Sequence, residues 1–244
     1  MSNVASIMGL ASKFNPPTPY FSGSDSNGSN NGAAVPFYST NGDYSGLEVG
    51  DFVVAMHSVA SSANYTGNMT CSSLTSNGVS EVASMYVNDS YDTNLKVYAG
   101  ELTSRPSAIT FSSVPSTGSA GVAILMWFKD VDSFVSPVTI EHRNTYYPNP
   151  ASVSNLSEGD IVVCVGANAH NNNTGTFSSP TDLTNFTRIF QGDNRDTYGG
   201  IGTYVTPNGV SSFNANQWTT TSTVTPNSSG SAASSTLVLK SRPY

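Results

Sequence analysis

From residue 47 onward, short runs of β-branched and aromatic residues alternate with clusters of Gly, Asn, Ser and Pro. The first group of side chains fits a pleated sheet, and the second group is typical of turns. The pattern therefore predicts an all-β fold, an antiparallel two-sheet β-sandwich of the jelly-roll-like kind, and no stretch of this region has a convincing helical pattern. The predicted strands cover residues 51–60, 82–88, 95–99, 107–112, 121–129, 137–142, 160–167, 186–190, 200–206, 217–224 and 234–240.

The polar residues of the chain are mostly uncharged. Its 244 residues include 40 Ser, 25 Thr and 24 Asn, whereas only 10% are charged and the net charge is -7. An acidic surplus without a basic block repels a nucleic-acid backbone or an anionic bilayer. We therefore expect no nucleic-acid partner, and because no segment has roughly 18 consecutive apolar residues, no membrane insertion.

One strand-initiating pattern occurs twice. The segments that begin at Leu47 and Leu156 share the sequence Leu-x-x-Gly-Asp, an apolar residue and Val-Val, and they lie 109 residues apart. Gly50-Asp51 and Gly159-Asp160 are expected to form tight turns in which the carboxylate accepts backbone N–H groups.

The repetition predicts two sequence-related halves, residues 41–145 and 146–244. They could form two separate domains or contribute to one sandwich. We favour one sandwich spanning 41–244, because only a short Pro-containing stretch separates the halves.

The duplicated pattern resembles a group of phage virion structural and tail-fibre-like proteins. Its second copy follows Pro148-Asn-Pro150-Ala-Ser-Val153, and the chain closes on an apolar strand with a basic-Pro tail that ends at Pro243. The resemblance covers residues 47–243, and it departs from the group's usual Gly-Trp where this chain has Ser72-Ser73-Leu74. It implies a non-enzymatic virion structural protein on the capsid or tail, as a decoration or fibre-type subunit that forms homo-oligomers.

Two strands differ in the burial that they predict. Residues 122–128 are unbroken hydrophobics, so one face of this strand should meet the opposing sheet and the other a loop or a second chain. Residues 219–223 are polar on both faces and are expected at a solvated edge.

Residues 1–40 are predicted to form an extended N-terminal arm with a flexible linker over 22–33, where almost nothing is available for burial. The arm is expected to anchor the protein to other virion proteins, although a frayed terminus without a role is the alternative. Candidate assembly contacts are the apolar residues Val4, Ile7, Met8, Phe14, Tyr20 and Phe21.

The chain shows no arrangement typical of a catalytic or metal site. Its three His residues do not form a His-x-His or His-x-x-x-His pair, and its two cysteines, Cys71 and Cys164, do not form Cys-x-x-Cys. We therefore expect no enzyme, no cofactor and no metal. Both cysteines are expected to be unpaired packing residues, with a single disulfide as the alternative.

Adjacent aromatic residues and an Asn-rich loop suggest a second function, that of a receptor- or glycan-binding adhesin module. Neighbouring rings in a loop can stack on a sugar, or they can instead close the end of the sandwich. The candidate ligand contacts are Tyr146, Tyr147, His170, Asn171 and Asn172.

The first ten residues lack the basic and apolar regions of a secretory signal. We therefore expect synthesis in the host cytoplasm and a final location in the virion, an extracellular particle.

Overall fold

Ten strands of the described chain form two five-stranded antiparallel sheets. The antiparallel two-sheet sandwich predicted from the sequence is therefore confirmed. The computed structural model describes residues 18–89, 91–112, 114–115, 118–145, 147–170, 176–192, 195–220 and 230–241.

The first sheet has the order β1-β7-β3-β5-β4, and a two-stranded sheet of β2 and β6 lies beside it. A short helix, α1 (Ser72–Thr75), and two 3-10 turns, Ser39–Asn41 and Thr66–Asn68, occupy its connections. Its strands are β1 (Tyr20–Asn30), β2 (Val35–Tyr38), β3 (Phe52–Ser61), β4 (Ser80–Val87), β5 (Asp92–Glu101), β6 (Ala108–Phe111) and β7 (Ala120–Lys129).

The second sheet has the order β11-β12-β10-β14-β8, and β9 pairs with β13 in a two-stranded sheet of its own. These strands follow those of the first sheet along the chain. They are β8 (Ser133–His142), β9 (Val153–Ser154), β10 (Ile161–His170), β11 (Thr184–Gln191), β12 (Asp196–Val205), β13 (Ser212–Phe213) and β14 (Ser231–Lys240).

The two sheets have the same topology. Strands β1, β7, β3, β5 and β4 correspond in order to β8, β14, β10, β12 and β11, and the small sheet β2-β6 corresponds to β9-β13. Each half of the sequence therefore builds one sheet. The halves divide at residues 130–132, not at 145, because β8 pairs with β14 of the second sheet.

The chain passes between the main sheets once, from β7 to β8. In a jelly roll successive strands alternate between the two sheets, so the connectivity here is different. The contacts across the sandwich are reciprocal: β1 packs on β11, and its counterpart β8 packs on β4. This reciprocity is what an approximate two-fold relation between the halves requires.

The main core lies between the sheets and receives side chains from both. Phe52 and Met56 of β3 face inward, as do Ile161 and Val165 at the same register positions of β10. Because residues two apart on a strand share a face, the inward set alternates with an outward set that needs its own cover.

The outward face of β7 is covered by residues of the same chain. Leu125 and Trp127 pack with Phe37 of β2, Ile109 of β6 and Leu74 of α1. Of the two covers expected for this apolar strand, a loop or a second chain, the structure has the loop layer. A similar layer that includes Phe177 and Trp218 covers the outward face of the second sheet.

Residues 20–30 form an edge strand, where the sequence indicated a flexible linker over 22–33. Strand β1 pairs with β7 along its length, and its Ser24 Oγ lies 2.6 Å from Thr187 Oγ1 of the opposing sheet. Small polar side chains are compatible with this position because only one edge of the strand is paired and little apolar surface is required there.

The strand predicted over 217–224 is absent as far as Thr220. Trp218 is instead buried outside any strand, and Thr220 forms a single bridge to Phe177. Residues 221–224 lie outside the described residues. The other ten predicted strands correspond to strands of the structure, and both cysteines are free and buried, as expected.

Candidate functional site

The duplicated Leu-x-x-Gly-Asp segment forms the same turn in both halves. Gly50 and Gly159 adopt φ values of 91° and 83°, a left-handed conformation that favours glycine. Asp51 Oδ2 accepts the N–H of Glu48 at 2.9 Å, and Asp160 Oδ2 accepts the N–H of Ser157 at 2.8 Å. The expectation that each Asp caps its turn is confirmed.

A lysine at the end of the neighbouring strand pairs with each of these aspartates. Lys129 Nζ lies 2.9 Å from Asp51 Oδ1, and Lys240 Nζ lies 2.7 Å from Asp160 Oδ2. Hydrogen bonds to Glu48 and Asp51 raise the pKa of Lys129 above its ordinary value. These ion pairs hold the ends of β7 and β14 against the turns, so their role is structural.

Beside these ion pairs, the two halves differ in the pair of residues at one outward-facing position of the main sheet. In the first half the Trp127 indole lies over Gly23 of β1, so closely that a side chain at Gly23 would overlap the ring. The corresponding pair in the second half is Val238 and Val135. Where the first half has a tryptophan packed on a glycine, the second half therefore has a pair of valines.

A second aromatic residue of the first half is also replaced. Tyr44 is buried, and the guanidinium carbon of Arg105 lies 5.5 Å from the centre of its ring. The offset of 109 residues that relates the turns places Val153 at the corresponding position. The second half therefore lacks both rings that fill this region in the first half.

An open pocket of about 340 Å³ occupies that region of the second half. Val135 and Val138 of the edge strand β8 form one side and are 48% and 49% exposed. Lys240 marks its polar end, where Nζ also donates to the carbonyl of Asn155 at 3.0 Å. Its lining consists of Val135, Ser136, Val138, Ser152, Val153, Ser154, Asn155, Thr236, Val238 and Lys240.

The candidate ligand contacts that the structure describes, Tyr147 and His170, differ in how exposed they are. Tyr147 is half-buried, and the adjacent Pro148 accepts the N–H of Trp218 at 2.9 Å. His170 was expected in an exposed loop, but it ends β10, is 3% exposed and stacks on Tyr91. Its ring is therefore not on the surface. The remaining candidates, Tyr146, Asn171 and Asn172, lie outside the described residues.

Two of the candidate assembly contacts belong to β1. Tyr20 is 49% exposed, whereas Phe21 packs against the main core with its ring 6.1 Å from that of Phe128. Phe21 thus has an intramolecular partner, and Tyr20 remains on the surface. The other candidates, Val4, Ile7, Met8 and Phe14, lie outside the described residues.

A second pocket, of about 310 Å³, lies on the outward face of the first sheet. It brings together the thiol of Cys71, the phenol of Tyr98 and Glu81, whose carboxylate is paired with Lys96 at 2.6 Å. Burial raises the pKa of the Cys71 thiol, so the reactive thiolate is disfavoured. The cluster is consequently a poor nucleophilic centre.

His57 is a buried imidazole in the middle of β3. Its ring lies 5.2 Å from that of Phe111, and neither ring nitrogen has a hydrogen-bond partner. Burial, with the positive charge of Lys96 as a second cause, lowers the pKa of His57 to about 3. The side chain is therefore neutral at physiological pH and acts as a packing residue.

The described residues contain no group of three or more His, Cys, Asp or Glu side chains arranged to hold a metal ion. Among the same residues, no helix has the length and apolar character needed to cross a membrane.

No protein-family model, curated protein or solved structure matches the chain.

The valine-lined pocket is the feature that the sequence reasoning missed. Its signal lies in the comparison of the halves, where Val238 stands at the position of Trp127 and Val153 at the position of Tyr44. Only the strand register, which pairs Trp127 with Gly23 and Val238 with Val135, shows that these differences fall in one place.

Proposed function

We propose that the chain is a non-enzymatic structural subunit of a phage virion, displayed on the capsid or tail as a decoration or fibre-type protein. In this proposal the N-terminal segment attaches the subunit to other virion proteins, and copies of the subunit associate with one another. The sandwich supplies a rigid body.

The exposed apolar edge of β8 is the observation that carries the proposal. Val135 and Val138, on the outward face of this edge strand, are about half exposed beside an open pocket. Clustered apolar surface on an otherwise polar protein marks an interaction site. A subunit of an assembly has such a surface, because a neighbouring subunit can pack along this edge strand.

The uncharged surface also supports an assembly role. Only 10% of the residues are charged, while Ser, Thr and Asn supply most of the polar side chains. Contacts that do not depend on ion pairs change little with ionic strength, because salt screens charges and not neutral hydrogen bonds. Such a surface suits a particle that meets water of varied salt content.

Deletion of residues 1–17 tests the attachment. The deletion ends before β1, so the sandwich should stay folded, as judged by circular dichroism and its unfolding midpoint. We expect the shortened protein to be absent from purified particles in which mass spectrometry finds the full chain. Normal incorporation of the shortened protein would contradict attachment through this segment, and absence of the full chain from particles would contradict the proposed function.

A receptor- or glycan-binding module is the second candidate. It is favoured by Tyr147, whose ring is partly accessible on a segment held to the second sheet by the Pro148–Trp218 hydrogen bond. A glycan array would reveal binding that Tyr147→Ala abolishes and that Tyr38→Ala, a change at another exposed tyrosine, preserves. An array without signal for the wild-type protein excludes this alternative for the glycans tested.

A further inference from the structure

We propose that the valine-lined pocket of the second sheet receives the Phe14 side chain of the chain's own N-terminal segment. The proposal goes beyond the proposed function: it assigns one residue of the segment a site on its own subunit, and it leaves the rest of the segment to attach to other virion proteins. Phe14 itself lies outside the described residues.

The first half provides a template for an aromatic occupant. At the register position of Val238 it carries Trp127, and the indole fills the space over Gly23. In the second half the same space, between Val238 and Val135, is open to solvent. The pocket therefore lies at the position that the Trp127 ring fills in the first half, and none of its lining residues supplies a ring.

The chemistry of the lining is compatible with a ring and unsuited to an ion. Val135, Val138, Val153 and Val238 supply apolar contacts on several sides of the pocket. The one cation at its end, Lys240, is already paired with Asp160 and the carbonyl of Asn155. Burial of a Phe side chain in such a site is favourable because it removes apolar surface from water.

The described part of the chain starts near the end of β14 that lines the pocket. Thr18, the first described residue, lies against Gly159 and close to Ser241, so that a Cβ on Gly159 would be 3.1 Å from Thr18 Cγ2. Ser241 follows Lys240, which lines the pocket. Three residues lie between Phe14 and Thr18, so the four Cα–Cα steps that join them span at most about 14 Å. Val238 lies three residues before Ser241, or about 10 Å along β14.

Phe14 is the single aromatic residue among the first 17. A ring on the same chain also has a large advantage over one on another molecule, since a short tether gives an effective concentration in the millimolar range. These considerations favour the chain's own Phe14 over an aromatic group from a partner.

A labelled peptide of residues 1–17 tests the pocket directly. Fluorescence anisotropy would measure its binding to three forms of the full chain: the wild type, Phe14→Ala, and the double variant Val135→Gly/Val238→Trp in the Phe14→Ala background. The double variant copies the Gly23 and Trp127 pair of the first half and fills the pocket from within.

We expect the peptide to bind the Phe14→Ala chain and to bind the wild type at least about tenfold more weakly, since the wild-type segment competes. The pocket-filled variant should not bind, and a peptide carrying Phe14→Ala should lose at least about tenfold in affinity. Amide hydrogen exchange of residues 1–17 should be slower in the wild type than in Phe14→Ala.

Three results would overturn the proposal. The first is that the peptide does not bind the Phe14→Ala chain, and the second is that it binds the pocket-filled variant equally well. The third is a wild-type dimer that Phe14→Ala converts to a monomer, which would place the ring in the pocket of a second copy. Val138→Asp, with Val205→Asp as the control at another exposed valine, replaces the filled variant if that variant does not fold. A negative result in this assay would overturn the docking of Phe14 but not the proposed function, which incorporation of the protein into particles tests separately.

Discussion

The ammonium group of Lys240 lies 2.7 Å from the carboxylate of Asp160, which is 1% exposed. The lysine is partly exposed, whereas the aspartate is held inside by the turn that it caps. The pair thus joins a buried anion to a cation that solvent can still reach. Loss of the lysine leaves the anion without a counter-charge, whereas loss of both groups leaves no buried charge.

Lys240→Met should therefore destabilise the protein by roughly 1–3 kcal/mol, because the buried Asp160 carboxylate loses its cation. Urea unfolding at neutral pH would measure the change. Glu48→Gln is the matched control, since the Glu48 carboxylate pairs with Lys129 at the surface, and its loss should destabilise the protein less than the loss of Lys240. Equal effects of the two substitutions would show that burial of Asp160 does not decide the outcome.

Acid should destabilise the protein through His57. Its pKa is about 3 in the folded protein and near 6.5 in the unfolded chain, so the unfolded state binds the additional proton as pH falls. Stability is fully present above pH 6.5 and declines by about 1.4 kcal/mol per pH unit below it, down to pH 3.

His57→Leu isolates this contribution because leucine removes the titrating ring and keeps a similar volume. The difference in free energy of unfolding between the variant and the wild type should grow by about 2 kcal/mol from pH 6.5 to pH 5 in favour of the variant. Urea titrations at the two pH values give this difference. A constant difference would mean that the imidazole has access to water or a partner.

Gly166→Ala should destabilise the second half. An added Cβ would overlap the Trp218 ring and lie 2.9 Å from Pro148 Cβ, so the covering layer would have to move, at a cost of roughly 1–3 kcal/mol. Gly67→Ala, where the Cβ would meet nothing within 4 Å, is the control. Thermal unfolding of the two variants makes the comparison, and a shift of the same size in both would contradict the packing described.

The two thiols should be inaccessible in the folded protein. Cys71 and Cys164 are free and buried, and burial raises the pKa of each thiol. A thiol reagent should therefore detect both cysteines in denaturant and react slowly with the native protein. Detection of fewer than two thiols in non-reducing denaturant would indicate a disulfide that the structure lacks.

Most of the strands could be predicted because their signal is local. The runs around Val54, Leu125 and Val163 combine β-branched or apolar residues with flanking turn residues, and each forms a central strand. Strand β1 could not be predicted in this way, since Ser, Gly and Asn have little intrinsic preference for a sheet. Its pairing with β7 is a tertiary effect.

The candidate site was harder to predict than the fold. Sequence reasoning placed His170 in a loop because Asn residues follow it, although the residue completes β10 and is buried. It placed Trp218 in a strand, whereas the ring covers Gly166 from outside the sheet. Both errors concern which residues belong to a strand, and that depends on contacts distant in sequence.

The single passage of the chain between the sheets, at residues 130–132, has a consequence for how the sandwich holds together. Either half alone would leave the inner face of its only sheet in water, and it would need a separate molecule to shield that face. The covalent link keeps the second sheet beside the first at any protein concentration.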